Sequence, residues 1–272
     1  MRVIVTRVQP QAARWVQQLA PRFGAVALPL IETSALADKS AVLAAWQRWP
    51  EYAAVMFVSA HAVNFFFKEK PASTHISQAS PAIDTRAWAT GPGTLAALLE
   101  QGVSPGLIDS PPLEGGQFDS EALWQQVHGQ ITSGARVLIV RGDTRAEDDA
   151  PVSDPSAGGV AGVGRDWLAQ RLHKSGAAVD FVVAYRRGAP VWTPGELALA
   201  ATAASDGSVW VFSSAEAVDN LHQLMPGQSW AKARAVATHA RIAQAVRQLG
   251  FAVVLETRPT LKDVVVSIES MA

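Results

Sequence analysis

The chain has 272 residues, 49% of them hydrophobic and 17% charged. That is enough apolar material for two cores and excludes an intrinsically disordered chain. A formal net charge of −1 gives no global basic field for nucleic-acid binding, and the absence of cysteine excludes disulfides, thiolate catalysis and cysteine-ligated zinc.

The opening MRVIVTRVQPQAARW has only a short apolar run before Arg7, too little for a signal-peptide core, and no stretch approaches the ~20 apolar residues of a membrane span. A cytoplasmic protein without membrane association is expected. In chain order the strand-sized runs are VIVTR, AVALPL, VMFVS, AWATG, VLIVRG, VDFVVAYR, VWVFSS, AVATH and FAVVLE, each flanked by a helix-sized pattern. Continuous apolar runs alternating with helices predict parallel sheets covered on both faces. Residues 145–164, RAEDDAPVSDPSAGGVAGVG, are rich in Pro, Gly, Ser and acid and predict a mobile surface insertion. No strand precedes GGVAGVG, so it lacks the context of a nucleotide-binding glycine loop.

Segments also match one another. Residues 86–102 (RAWATGPGTLAALLEQG) align without a gap on 234–250 (RAVATHARIAQAVRQLG), SAHAV at Ser59 echoes SAEAV at Ser214, and RVIVTR at Arg2 echoes RVLIVR at Arg136. The last two are followed by helices carrying Trp15 before Gly24 and Trp167 before Gly176, and both tryptophans read as packing residues. The order is A-B-C-A′-B′-C′, which predicts two similar α/β domains. It does not say whether A packs with B or with B′.

Open parallel sheets bind ligands beyond the carboxyl ends of their strands, where helix amino termini present free N–H groups. Those corners are Thr6-Arg7, Ser59-Ala60, Thr90-Gly91-Pro92-Gly93-Thr94, Arg141-Gly142, Ser213-Ser214 and Thr238-His239. Hydroxyls, glycines and arginines suit a carboxylate or phosphate ligand. At any single corner, helix capping or a tight turn explains the same residues; their recurrence points to an anionic ligand. Histidines 61, 75, 128, 173, 222 and 239 show no metal-ligand spacing, and His239 reads as either a substrate contact or a solvated corner. No G-x-S-x-G elbow surrounds Ser59 or Ser213, which disfavours nucleophilic serine chemistry. Tyr185, one of two tyrosines, ends the run VDFVVAYR, where its phenol either donates a proton or simply packs with a wet hydroxyl.

Taken together, TR before QAARW, MFVSAHAV, GPGTLAAL, VLIVRGD, GRDWLAQRLHKSGAAVDFVVAYRR, VFSSAEAV and ATHARIAQAVRQLGF resemble the uroporphyrinogen-III synthase family in order and spacing over nearly the whole chain. The resemblance implies two flavodoxin-like parallel-sheet domains, 1–34 plus 190–272 and 37–184, joined by a two-stranded linker with a cleft between them. It implies a cofactor-free, metal-free lyase acting on hydroxymethylbilane, an octacarboxylate linear tetrapyrrole. Water leaves, a substituted carbon of ring D attacks to give a spiro intermediate, and reclosure yields uroporphyrinogen III with ring D inverted. Tyr185 matches the family's cleft tyrosine, which helps the hydroxyl leave, and Thr94 its cleft threonine; the duplicated position here is Ile242. Arg7, Ser59, Gly91, Arg141, Ser214 and Thr238 carry over as carboxylate-facing corners, with Arg165 a further candidate, and Gly142, Ser213 and His239, read from the corners themselves, stand beside them as substrate-binding candidates. A monomer, with transient hand-over from hydroxymethylbilane synthase, follows from the same resemblance. The rivals are a sugar-nucleotide transferase, for which no D-x-D stands at a strand end, and a cleft-closing binding protein, which ordinarily carries an export signal.

Overall fold

Strands whose every residue is apolar must bury both faces, and β4 (Ala54–Phe57) and β9 (Val209–Phe212) do so along their whole length. The structure is a computed structural model that describes residues 1–72, 85–112, 119–143 and 163–271, without the side chains of 163–166. The chain divides into two compact units, Met1–Glu32 with Gly188–Ala272, and Thr33–Arg187.

The first unit contains β1 (Arg2–Val5), α1 (Gln11–Leu19), β2 (Gly24–Ala27), α7 (Pro194–Ala203), β9, α8 (Ala215–Leu224), β10 (Arg234–Ala237), α9 (Ala240–Gln248), β11 (Val253–Glu256) and α10 (Leu261–Glu269). Its five-stranded sheet runs β11-β10-β9-β1-β2, with every described pairing parallel. Segment A therefore joins B′ and C′, a doubly wound order. Side chains alternate across the sheet. Ile4, Trp210, Phe212, Ala235 and Ala237 face α7, α8 and α9, while Val3, Val5, Val209, Val211 and Val236 face α1 and α10. Trp210 packs edge-on against Trp230, which stacks on Phe251 at 5.1 Å. The buried Asn220 donates from α8 to the Leu30 carbonyl at 2.7 Å, tying the end of the β2 segment to the body of the unit.

The second unit contains β3 (Glu32–Ala35), α2 (Ser40–Gln47), β4, α3 (Ala60–Lys68), β5 (Arg86–Ala89), α4 (Pro92–Glu100), β6 (Ile108–Asp109), α5 (Ser120–Val127), β7 (Arg136–Asp143), α6 (Val163–Lys174) and β8 (Ala178–Gly188). Its sheet runs β3-β8-β7-β4-β5-β6. Position for position, β6-β5-β4-β7-β8 repeats β11-β10-β9-β1-β2, as the sequence repeat requires. One face meets α2, α3 and α4 through Val55, Phe57, Leu138 and Val140, and the other meets α5 and α6 through Met56, Trp88, Val137 and Ile139. Trp46 stacks on Trp49 at 4.8 Å and donates its indole N–H to the Phe66 carbonyl, locking α2 to α3. Near the start of the sheet, Asp180 Oδ2 accepts from Arg136, Arg48 and Tyr52. Burial, then the Asp180 charge, pushes the Tyr52 phenol up to about 12.

The strand-sized runs named from sequence all form strands. The additional strands β3 and β6 are short and half-exposed or exposed, so they carry no apolar run to find. Most of the 145–164 expectation lies outside the described residues, and α6 begins within its last two.

Candidate active site

Tyr185 is 4% exposed near the carboxyl end of β8, and its orientation comes from an irregularity in the sheet. Along β8, Val182 and Ala184 face the α3 side while Val179 and Phe181 face the α6 side. Strict alternation would send Tyr185 to the α6 side. Pairing with β7 instead shifts from Arg141↔Val183 to Gly142↔Tyr185, a bulge that lets Ala184 and Tyr185 both face α3. Gly142 makes room for the ring: a Cβ there would stand 2.5 Å from Cζ and 2.6 and 2.9 Å from two further ring atoms of Tyr185. From α3, Phe65 stacks on Tyr185 at 5.4 Å and 15°, and His61 lies at 5.9 Å and 42°. The phenol oxygen sits 3.1 Å from Ser59 Oγ. Ser59 is also the N-cap of α3 and accepts from the Ala62 N–H at 3.1 Å.

The neighbouring corner holds Gly91 as the N-cap of α4 and Thr94 in its first turn. Thr94 is buried, with its hydroxyl 3.4 Å from that of Thr90, which itself donates to the Phe57 carbonyl. Arg141 is buried on the sheet's other face, its guanidinium 5.3 Å from the centre of the Phe181 ring. The side chain of Arg165 lies outside the described residues.

In the first unit the same corners are less engaged. Ser214 is the N-cap of α8 but makes no side-chain cap bond, and it and Ser213 are half-buried. Thr238 is buried at the end of β10, its N–H donating to the Phe212 carbonyl at 3.0 Å. His239 is exposed and caps α9, Nδ1 accepting from the Arg241 N–H. Ile242 fills the core at the position matching Thr94. Arg7 lies 4.0 Å over the Trp15 ring and donates to Gln11 at 3.0 Å, while its Nε is buried with no hydrogen-bond partner among the described residues. Burial lowers its pKa from the ordinary value, yet an arginine stays charged at neutral pH.

Sequence reasoning did not single out His61, Phe65 or Thr33, whose hydroxyl lies 3.4 Å from His61 Nδ1. Their common signal is helical spacing: His61 and Phe65 are four apart on α3 and so share the face that meets Tyr185. Burial, and then the Arg187 charge, pulls the His61 imidazole below its usual pKa. The unfolded chain thus takes up this proton more readily than the folded one. The stability that neutral His61 contributes is complete above pH ~6.5 and is lost as pH falls through the window below it. Urea midpoints are expected to drop on acidification through that window, and His61→Gln to remove that part of the dependence. A variant with the wild-type pH profile would exclude His61 as its source.

Comparison with known proteins agrees with this architecture. Residues 17–149 and 159–265 match the family model described as uroporphyrinogen-III synthase HemD. A mutant uroporphyrinogen III synthase from the extremely thermophilic bacterium Thermus thermophilus superposes with a TM-score of 0.51 at 16% identity, covering 100% of this chain and 98% of that one. The uroporphyrinogen-III synthetase of Helicobacter pylori gives 0.50 at 15% identity over 100% of both chains. At these identities the two structures speak to the fold, two-unit α/β with parallel sheets, and the family model, spanning most of the sequence, speaks to descent. The chain belongs to the uroporphyrinogen-III synthase family, the cyclising hydro-lyases of heme biosynthesis that convert hydroxymethylbilane into uroporphyrinogen III with ring D inverted.

Proposed function

We propose that in this chain the ring closure is assisted by the phenol of Tyr185, which donates a hydrogen bond to the departing hydroxyl of hydroxymethylbilane. The C–O bond breaks with its electron pair on oxygen, and the pyrrole nitrogen supplies the electrons that form the azafulvene cation. A proton taken up with the oxygen leaves as part of water. An equivalent proton is released when ring D regains aromaticity after spiro formation, fragmentation and reclosure, so the conversion is balanced without a cofactor. The observation that supports this role is the clamped geometry of Tyr185: a buried ring between Gly142 and Phe65 with its oxygen 3.1 Å from Ser59. A donor held before the reaction costs no reorganisation during it.

Carboxylate recognition falls, in the same proposal, to the remaining corner groups of each unit: Gly91 and Thr94, Arg141, Ser213 and Ser214, Thr238 and His239, and Arg7. Two observations support it: among the described residues the buried Nε of Arg7 has no hydrogen-bond partner, and Ser214 makes no side-chain cap bond. The enzyme's task is orientation: a flexible chain must be held so that inverting closure outruns the spontaneous non-inverting one. Among the described residues no helix is long and apolar enough to cross a membrane. A cytoplasmic monomer that receives substrate from hydroxymethylbilane synthase completes the reading, on the family's grounds.

The test is to supply hydroxymethylbilane generated in situ, oxidise the products and separate uroporphyrin isomers I and III. Predominant isomer III, formed faster than the spontaneous reaction, is expected. Isomer I at the no-enzyme rate from folded protein would overturn the assignment.

A further inference from the structure

The hydrogen bond between Ser59 and Tyr185 has a direction that bears on catalysis. A serine hydroxyl has one proton to give and two lone pairs to accept with. One lone pair of Ser59 is taken by the Ala62 N–H, one of the free first-turn donors of α3 that carry the helix's partial positive charge. Among the described residues, the phenol oxygen of Tyr185 is the hydrogen-bond partner left for the Ser59 proton, and Ser59 is the hydrogen-bond partner of Tyr185. The two hydroxyls share one contact, so only one of them donates across it.

We infer that Ser59 is a positioning residue that donates its proton to Tyr185, turning the phenol proton outward and completing a one-way relay from the Ala62 N–H through Ser59 and Tyr185 to the leaving oxygen. This rests on the reading of Tyr185 as the donor. Each bond in such a chain polarises the next in the same sense, so the helix terminus strengthens the phenol as a donor. With the opposite direction the phenol proton would be spent on Ser59 and unavailable to substrate. The relay belongs to the second unit alone. Ser214, the duplicated serine, also opens a helix but makes no side-chain cap bond, and both tyrosines of the chain, Tyr52 and Tyr185, lie in the second unit, so the first has no phenol to receive a proton.

The relay separates two duties of Ser59, capping and donating, and three variants tell them apart. Ser59→Thr keeps both, Ser59→Asp keeps the cap but has only acceptors, and Ser59→Ala loses both. Measured with saturating hydroxymethylbilane generated in situ, Ser59→Asp and Ser59→Ala are each expected to lower kcat roughly tenfold, the kinetic equivalent of one lost hydrogen bond, with KM little changed. Ser59→Thr is expected to restore most of kcat. Thermal unfolding should follow the cap instead, with Ser59→Asp nearer wild type than Ser59→Ala. In a Tyr185→Phe background Ser59→Ala should cost almost nothing further, because the relay has no end. If Tyr185→Phe slows turnover and Ser59→Ala still multiplies the loss in full, the relay is wrong while the role of Tyr185 stands. An unaltered rate for Tyr185→Phe itself would remove the reading beneath it. Full activity in Ser59→Asp would reduce Ser59 to a helix cap.

Discussion

Tyr185→Phe is expected to lower turnover about a hundredfold, the usual worth of a positioned proton donor, while shifting thermal unfolding by no more than a few degrees. The substitution removes one oxygen and leaves the ring. The stack on Phe65, the fit over Gly142 and the place of the side chain in the core on the α3 side all depend on ring carbons. Ser59 keeps its bond to the Ala62 N–H, so α3 keeps its cap. The transition state loses the donor that meets charge developing on the departing oxygen, a difference of ~2.7 kcal/mol for a hundredfold effect. At a fixed protein concentration, product composition reports the same loss. As enzymatic closure slows, spontaneous closure takes a larger share and isomer I rises at the expense of isomer III. A variant with wild-type kcat and undiminished isomer III would dismiss the phenol from the reaction.

The sequence carried the fold further than it carried the site, for physical reasons visible in particular residues. Strands buried on both faces must be apolar throughout, so VMFVS and VWVFSS announced β4 and β9, and the matched 86–102 and 234–250 segments announced the shared strand order of the two sheets. The strand β3, ETSA, pairs with β8 through backbone groups while its side chains stay largely exposed, and backbone pairing leaves no hydrophobic pattern to read. At the site, Tyr185 and Ser59 were both legible as strand-end residues. Their contact was not, because it depends on the one-residue shift between β7 and β8, and nothing in VDFVVAYR distinguishes a bulged strand from a regular one. Strict alternation would have put the tyrosine on the wrong face. Gly142 illustrates the same limit from the other side. A glycine at a strand end reads naturally as room for a ligand, and here the room is occupied by the protein's own phenol ring. Arg7 and Arg141, aligned by the repeat, share a setting that the repeat alone does not supply, each lying over an aromatic ring.

Gly142→Ala is the substitution that addresses this arrangement most directly, and its expected effect equals or exceeds that of Tyr185→Phe. Its Cβ would meet Cζ at 2.5 Å, inside the 3.0 Å that real Cβ contacts essentially never cross. The far end of a flexible side chain could swing aside, but this ring is backed by Phe65 and set by the bulge in β8. Relief requires either turning the ring, which breaks the 3.1 Å contact with Ser59, or parting β7 from β8. Overpacking of this kind costs roughly 1–3 kcal/mol, so the urea midpoint is expected to fall together with kcat. The paired loss identifies the cause. If Gly142 served only to let a substrate carboxylate approach the backbone, alanine would reduce activity and leave stability intact. If it cradles the ring, deleting the ring removes the conflict, and Gly142→Ala should be nearly neutral for stability when introduced into Tyr185→Ala. Strong coupling between the two positions in that double-mutant cycle would mark steric accommodation of the phenol, and additive losses would return Gly142 to the role of a substrate-facing turn.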